Sequence, residues 1–352
     1  MDENLSSLQI QTILESIINI NSQKKLPEPE MLETLILDTL KTLQNESIMY
    51  RAKSSDGFPG GLLNFCSERF NDLPVIIVPD LHGRVEFLPN LLQQNIVPGF
   101  EGNVIEALSE GKVIVICVGD GMHGESRVFA RWKQSYLEWN NGNILSDSMC
   151  AEMAENLCVM QTVMILKNSF PYHFHFLKGN HENIMDEDGG GNYSFRKFAL
   201  EGEMTREFMA TKYGQEILYE YYNFEKNLPV CAVTQKCCVS HGEPAAAFKK
   251  KDIINYAANP EVVYGFTWTA NDEAIPGSVQ KLFSRLNKNY KGKKYIWFGG
   301  HRPVDGNFAL RQNDSYVQIH NPYKFNVAVV DSRKEFNPEL DIISVFAGKE
   351  TE

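Results

Sequence analysis

A short apolar run that stops abruptly on a metal-capable side chain occurs five times in this chain. In "VIIVPDLHGR", Val75–Arg84, a β-branched run ends on Asp80 and His82. "KVIVICVGD" ends on Asp120, "YHFHFLKGN" on Asn180 followed by His181, "CCVSHGE" on His241, and "KKYIWFGGH" on His301. Runs of this length and composition read as strands buried on both faces. In open α/β sheets, ligands bind beyond the carboxyl ends of strands. Five such ends converging would make one polynuclear site of Asp, His and Asn, without Cys. That hard, mixed O/N set suits Mn, Fe or Zn rather than a structural cysteine–zinc site. The ligands exceed what one ion needs, and a pair of ions about 3.5–4 Å apart is the usual arrangement for phosphoester displacement. Glycine stands beside each candidate in "DLHG", "VGDG", "KGNHE", "SHGE" and "GGHR", where a sharp turn or close backbone approach is needed.

The rest of the chain bounds the fold class. At 352 residues and 43% hydrophobic, it can bury a large core. A net charge of −11 argues against a nucleic-acid or anionic-lipid coat. Seven cysteines, an odd number without a C-x-x-C pair, fit a reducing compartment, and a cytoplasmic location is expected. The N-terminus lacks a basic signal-like region, and no apolar run approaches about 18 residues, so no membrane span is expected. Apolar spacing predicts helices over 4–20 and 30–44, another through "VEFLPNLLQQN" and one in "SMCAEMAENLCVMQTVMILKNSF". "PVCAVTQKCCVSHGE" predicts a hairpin turning near 234–236, and "YVQIHNPYKFNVAVVDS" and "LDIISVF" predict closing strands.

The motif series "PDLHGR", "VGDGMHGE", "KGNHEN", "SHGEP" and "GGHRPV" resembles the calcineurin-like metallophosphoesterases, and more narrowly the PPP-type phosphoprotein phosphatases. The ending "GHRPV" is closer to bacterial members. A narrower resemblance is to Wip-type translocated effector phosphatases, which would place the protein in a host-cell cytosol. The resemblance implies an α/β (α+β) fold with a central β-sandwich and flanking helices. It divides the chain into an N-terminal helical extension, 1–50, and a catalytic domain, 51–352, with a helical insertion near 125–170. The implied cofactors are two divalent cations, manganese first, iron or zinc as alternatives. Asp80 and His82 would hold the first, Asp120 would bridge, and Asn180, His241 and His301 would complete the second. Asn180 would also meet the phosphate. A bridging water activated by both cations would attack phosphorus in line, and His181 would protonate the leaving oxygen. The turn Gly300-His301-Arg302 lacks the second metal-binding histidine of other branches.

Three positions depart from the pattern. Pro79 replaces a glycine. His123 stands where the family has the aspartate that orients the acid, with Glu125 or Asp186 as rival orienters. Gly124 stands where the family has a phosphate-binding arginine, so Arg84, Arg127 or Arg302 would supply the clamp, the first two ahead of the third. His173, His175 and His320 alternate with apolar residues and read as structural. "FARWKQSYLEWN" reads as a packing helix ahead of one overhanging the site, and "DEDGGG" as a solvated loop. The expected substrate is a phosphoprotein, carrying phosphoserine or phosphothreonine first and phosphotyrosine second. Dinucleoside polyphosphate hydrolysis and a non-catalytic partner-binding scaffold are the alternatives. No nucleic-acid partner is expected, and the N-terminal helices are a candidate partner surface.

Overall fold

The computed structural model describes residues 5–288, 294 and 296–346. Two β-sheets stack face to face. The five-stranded sheet runs β12(Ile342–Ser344), β11(Asn326–Val330), β3(Val75–Val78), β4(Ile114–Cys117), β5(Phe174–Phe176). The seven-stranded sheet runs β1(Arg51–Lys53), β2(Pro59–Asn64), β6(Cys231–Val233), β7(Cys238–Ser240), β8(Trp297–Gly299), β10(Tyr316–Gln318), β9(Ala309–Arg311). The expected sandwich with flanking helices is what forms. The short strands β1, β2 and β9 and the long helix Glu201–Lys226 had no clear periodic signal. Residue 4 and residues 293 and 295, at the starts of an expected helix and an expected strand, lie outside the described residues.

Strand alternation explains the layering. Ile77, Ile114 and Ile116 point between the sheets and meet Leu63, Val239, Phe298 and Val317. Their alternates Ile76, Val78 and Val115 point outward under helices. On the far side of the other sheet, Leu62, Cys231, Trp297 and Tyr316 pack beneath Phe266, Leu282 and Phe283. Both faces of each central strand are covered, so no polar alternation was there to read.

The helices Ser7–Gln23 and Pro29–Gln44 of the N-terminal extension pack on the core. Ile17, Leu32, Ile36, Leu40 and Leu43 belong to the same core as Ile76 and the helix Asp147–Ser169. The Asn21 amide donates to Thr162 Oγ1 at 2.7 Å across that interface. The helix Asp147–Ser169 is, by length and composition alone, one that could cross a membrane. Its apolar window is 78% buried inside the protein, so it serves here as a core helix. The helix Phe129–Asn140 packs as expected: Trp132 is fully buried and its Nε1 donates to Gly124 O at 2.9 Å.

Parallel pairing aims the site. β3, β4 and β5 are mutually parallel neighbours, and so are β7, β8 and β10. Their carboxyl ends therefore open on one edge of the sandwich, where the loops carrying the motifs meet.

Candidate metal centre

Six of the eight histidines gather at that edge; His173 and His175 lie elsewhere. Asp80, Asp120, Asn180 and His241 are buried, and His301 is partly exposed. His82, Asp120, His123 and His301 all take positive φ, between 45° and 64°. Such backbone costs on the order of 1–3 kcal/mol per residue and persists only where the surroundings hold it. Here the loops brace each other. Leu81 and His82 N–H both donate to Asp120 O, Gly300 N–H donates to His241 O, and His301 N–H donates to Asp80 Oδ2 at 2.9 Å. The buried carboxylate of Glu182 accepts from the N–H groups of Asp120, Gly121 and Gly179, tying two motif loops together. Its motif position, directly after His181, was the only signal that could have found it. At Gly300 an added Cβ would overlap the Asp80 carboxylate, and at Gly179 that of Asp120. Both glycines are required by close approach.

The donor atoms form two groups joined by Asp120. In one, Asn180 Oδ1 lies 2.8 Å from His241 Nε2 and 2.8 Å from His301 Nδ1, and His241 Nε2 lies 3.3 Å from Asp120 Oδ2. In the other, His82 Nε2 lies 3.9 Å from Asp80 Oδ2 and 3.6 Å from Asp120 Oδ2. Ligands about 2.0–2.2 Å from an ion sit roughly 3 Å or a little more apart, so these spacings suit cations. The His82 ring is held for this role, with Nδ1 3.1 Å from Met122 O and Nε2 free to face inward. Asp80 Oδ1 is buried with no hydrogen-bond partner. Burial pushes the Asp80 carboxyl up to about 6 and the His82 ring down to about 4. Burial, then the carboxylates of Glu182 and Asp80, push Asp120 well up. A dication would offset that concentration of acidic groups.

Beside the ligands, His123 Nδ1 lies 2.7 Å from His181 Nδ1, so one ring donates and the other accepts. Thr205 Oγ1 lies 3.1 Å from His123 Nε2. With Thr205 donating, His123 carries its proton on Nδ1 and donates it to His181. The His181 proton then sits on Nε2, facing Asp120 Oδ2 at 3.6 Å. Among the three candidates His123 is thus the group within hydrogen-bond distance of His181. Glu125 instead bonds His320 Nε2 at 2.9 Å, and Asp186 accepts no bond from His181. Burial, then the neighbouring imidazoles, push His181 well below its ordinary value. Phe195 covers the pair, its ring centroid 3.7 Å from that of His181 and stacked on His123 at 5.4 Å.

A cavity of about 250 Å³ opens over this centre. The arginine expectations need correction here. Arg84 is buried, and its guanidinium donates to the carbonyls of Asp80, Leu81, Asn321 and Lys324. Arg127 donates to His82 O and pairs with Glu155. Neither lines the cavity, because each is spent bracing the loop it was expected to reach past. Arg302 does line it, with Arg196 and Lys197, which sequence motifs did not mark. Gly124 has no room for a side chain: its N–H donates to Glu152 Oε1 at 2.7 Å, and Val128 crowds the position. His320, read as structural, is a second correction. It is fully buried at the end of β10 with Nδ1 3.6 Å from Asp80 Oδ2. Strand alternation concealed it, because a buried inward position and a site position look alike in sequence.

No curated protein matches the chain. Among solved structures, it is similar to a protein serine/threonine phosphatase from Saccharomyces cerevisiae with similarity to human phosphatase PP5. The identity is 14%, with 96% of this chain and 95% of that chain covered, and a TM-score of 0.60. A chain described as a diadenosine tetraphosphatase matches with a TM-score of 0.40 at 14% identity, over 77% of this chain and 92% of that one. The first likeness speaks for the fold; the second carries no weight. The family model for calcineurin-like phosphoesterases matches residues 73–347, a span that holds every ligand candidate named above. The chain therefore belongs to the calcineurin-like phosphoesterase family.

Proposed function

We propose that the protein is a phosphoprotein phosphatase that hydrolyses phosphoserine or phosphothreonine esters with two divalent cations. The observation that carries this is the meeting of two donor groups and a His123–His181 pair at one cavity with a cationic rim. Asp80 and His82 would hold one cation, Asn180, His241 and His301 the other, and Asp120 would contact both. The cations would supply Lewis acidity and lower the pKa of water for attack on phosphorus. His181 holds a proton at Nε2 beside the leaving oxygen, and His123 fixes that tautomer. Arg196, Lys197 and Arg302 face the phosphoryl oxygens, where charge spreads during transfer. The cavity is open at the rim, which suits a phosphorylated side chain presented by a polypeptide. The fold likeness to a serine/threonine phosphatase agrees with this.

Phosphate release from phosphoserine, phosphothreonine and phosphotyrosine peptides, measured beside diadenosine tetraphosphate with manganese or chelator, tests the reading. Peptide turnover that stops in chelator is expected. Turnover of the dinucleotide alone would make the substrate a small molecule. No turnover in metal-loaded protein would leave a binding role.

A further inference from the structure

We propose that His320 is a further ligand of the first cation, through Nδ1, and that Glu125 is the carboxylate that positions it. The inference rests on the two-cation reading above but adds a residue that the motif series does not contain.

The two ring nitrogens of His320 have different surroundings. Nε2 lies 2.9 Å from Glu125 Oε2, within hydrogen-bond distance, so Nε2 carries the proton and Glu125 accepts it. Nδ1 then presents a lone pair. It is buried and has no hydrogen-bond partner, although the residue is fully enclosed. The nearest acidic oxygen, Asp80 Oδ2, is 3.6 Å away, too far for a hydrogen bond but close to the spacing of two ligands on one ion. A buried acceptor aimed at nothing is unfavourable, and a bound cation removes that penalty.

The site around Nδ1 is a cage. Ligand atoms of Asp80, His82 and His320 all lie within 4.8 Å of one another. The His82 and His320 rings face the same space with centroids 5.3 Å apart. Each has its other nitrogen at an acceptor: Met122 O for His82, Glu125 for His320. A metal-binding imidazole characteristically donates its second N–H to a carboxylate or carbonyl, which fixes the ring and raises its basicity. The alternative, a histidine merely satisfied in the core, would leave no orphaned nitrogen facing a carboxylate.

Topology explains the delivery. β8 and β10 are parallel neighbours, so their carboxyl ends present His301 and His320 at the same edge. His301 reaches Asn180 and the second group, whereas His320 reaches Asp80 and the first. With Asp120 bridging, the first cation would have two oxygen and two imidazole donors from the protein. That set moves the first position toward zinc or iron relative to manganese, following ligand softness and the general affinity order.

Metal content and affinity test this without relying on turnover. Wild type, His320→Ala, His320→Gln and Glu125→Gln would be stripped, titrated with Zn(II) or Mn(II) by calorimetry, and analysed for bound metal after dialysis. Circular dichroism and thermal unfolding would establish that each variant folds. Wild type should hold two ions per chain. Both His320 variants should retain about one and weaken the second by at least tenfold. Glu125→Gln should keep two but weaken one by about ten- to a hundredfold. Two ions at wild-type affinity in either folded His320 variant would overturn the assignment and leave the phosphatase reading standing. A wild type that retains no ion would overturn both. If His320→Ala does not fold, the His320→Gln and Glu125→Gln titrations decide by the same criteria.

Discussion

His123 sets a neutral ring, where a carboxylate was expected, within hydrogen-bond distance of His181. A carboxylate would stabilise the charged imidazolium, whereas burial drives His123 itself down to about 3, so it stays neutral. It can therefore hold the His181 ring by a hydrogen bond without adding charge. His181→Ala should slow turnover of alkyl phosphates by about 10²–10⁴-fold with metal content unchanged. The loss should be smaller on aryl phosphates, whose leaving groups need less protonation, and equal losses on both would remove the acid role. The arginines separate at the same scale. Arg196→Ala and Arg302→Ala should each lower kcat/KM on a phosphopeptide by about ten- to a hundredfold, since a charge-assisted contact is worth roughly 1.5–3 kcal/mol. Arg84→Ala should instead lower the melting temperature, because it removes the guanidinium that donates to four backbone carbonyls. A wild-type melting temperature for that variant would contradict the bracing role.

The elements are joined by a buried charge network away from the site. Glu46, just beyond the helix Pro29–Gln44, pairs with Arg51 of β1 at 2.5 Å and with Lys167 of the helix Asp147–Ser169 at 2.5 Å. Lys167 also meets His175 of β5 at 3.2 Å. Burial alone would raise Glu46, but Lys167 and Arg51 outweigh it and hold the carboxyl well below 4.5. A lowered carboxyl contributes stability that is present above 4.5 and lost as pH falls toward its folded value. Burial, then Lys167, lowers His175 from 6.5 to about 4, so its contribution is present above 6.5 and erodes between 6.5 and 4. Both act in the same direction. Thermal stability should fall from pH 7 to pH 4 and steepen below 4.5. Glu46→Gln should cost about 3–5 kcal/mol at pH 7, by leaving two buried cations underpaired, and should flatten the loss below pH 4.5. Denaturant unfolding at several pH values would measure both, and an unchanged pH profile in the variant would exclude the network as the cause.

Across the whole molecule, the cost of gathering Asp80, Asp120 and four positive-φ turns at one sheet edge is offset when cations bind the folded state alone. At free metal 100 times its dissociation constant, that linkage is worth about 2.7 kcal/mol per site. Manganese or zinc should therefore raise the melting temperature of stripped protein by several degrees, and chelator should lower it and abolish turnover together. Identical melting curves with metal and with chelator would argue against the centre.

The chain alone determined the sandwich strands that matter and the ends on which they stop. Val75–Val78, Ile114–Cys117 and Trp297–Gly299 are short, apolar and doubly buried, and each is followed by a polar residue that has no place in a core. Local composition is sufficient for that, since a strand end and its turn are set by neighbouring residues. What those ends do together depended on pairing between strands far apart in sequence. Parallel alignment of β8 with β10 turned His320 from an apparently structural residue into a neighbour of Asp80, 240 positions away. The same long-range packing spent Arg84 and Arg127 on backbone carbonyls and brought Arg196 over the cavity. Side-chain reach is decided by which partner is nearest in space, and one-dimensional spacing does not carry that distance.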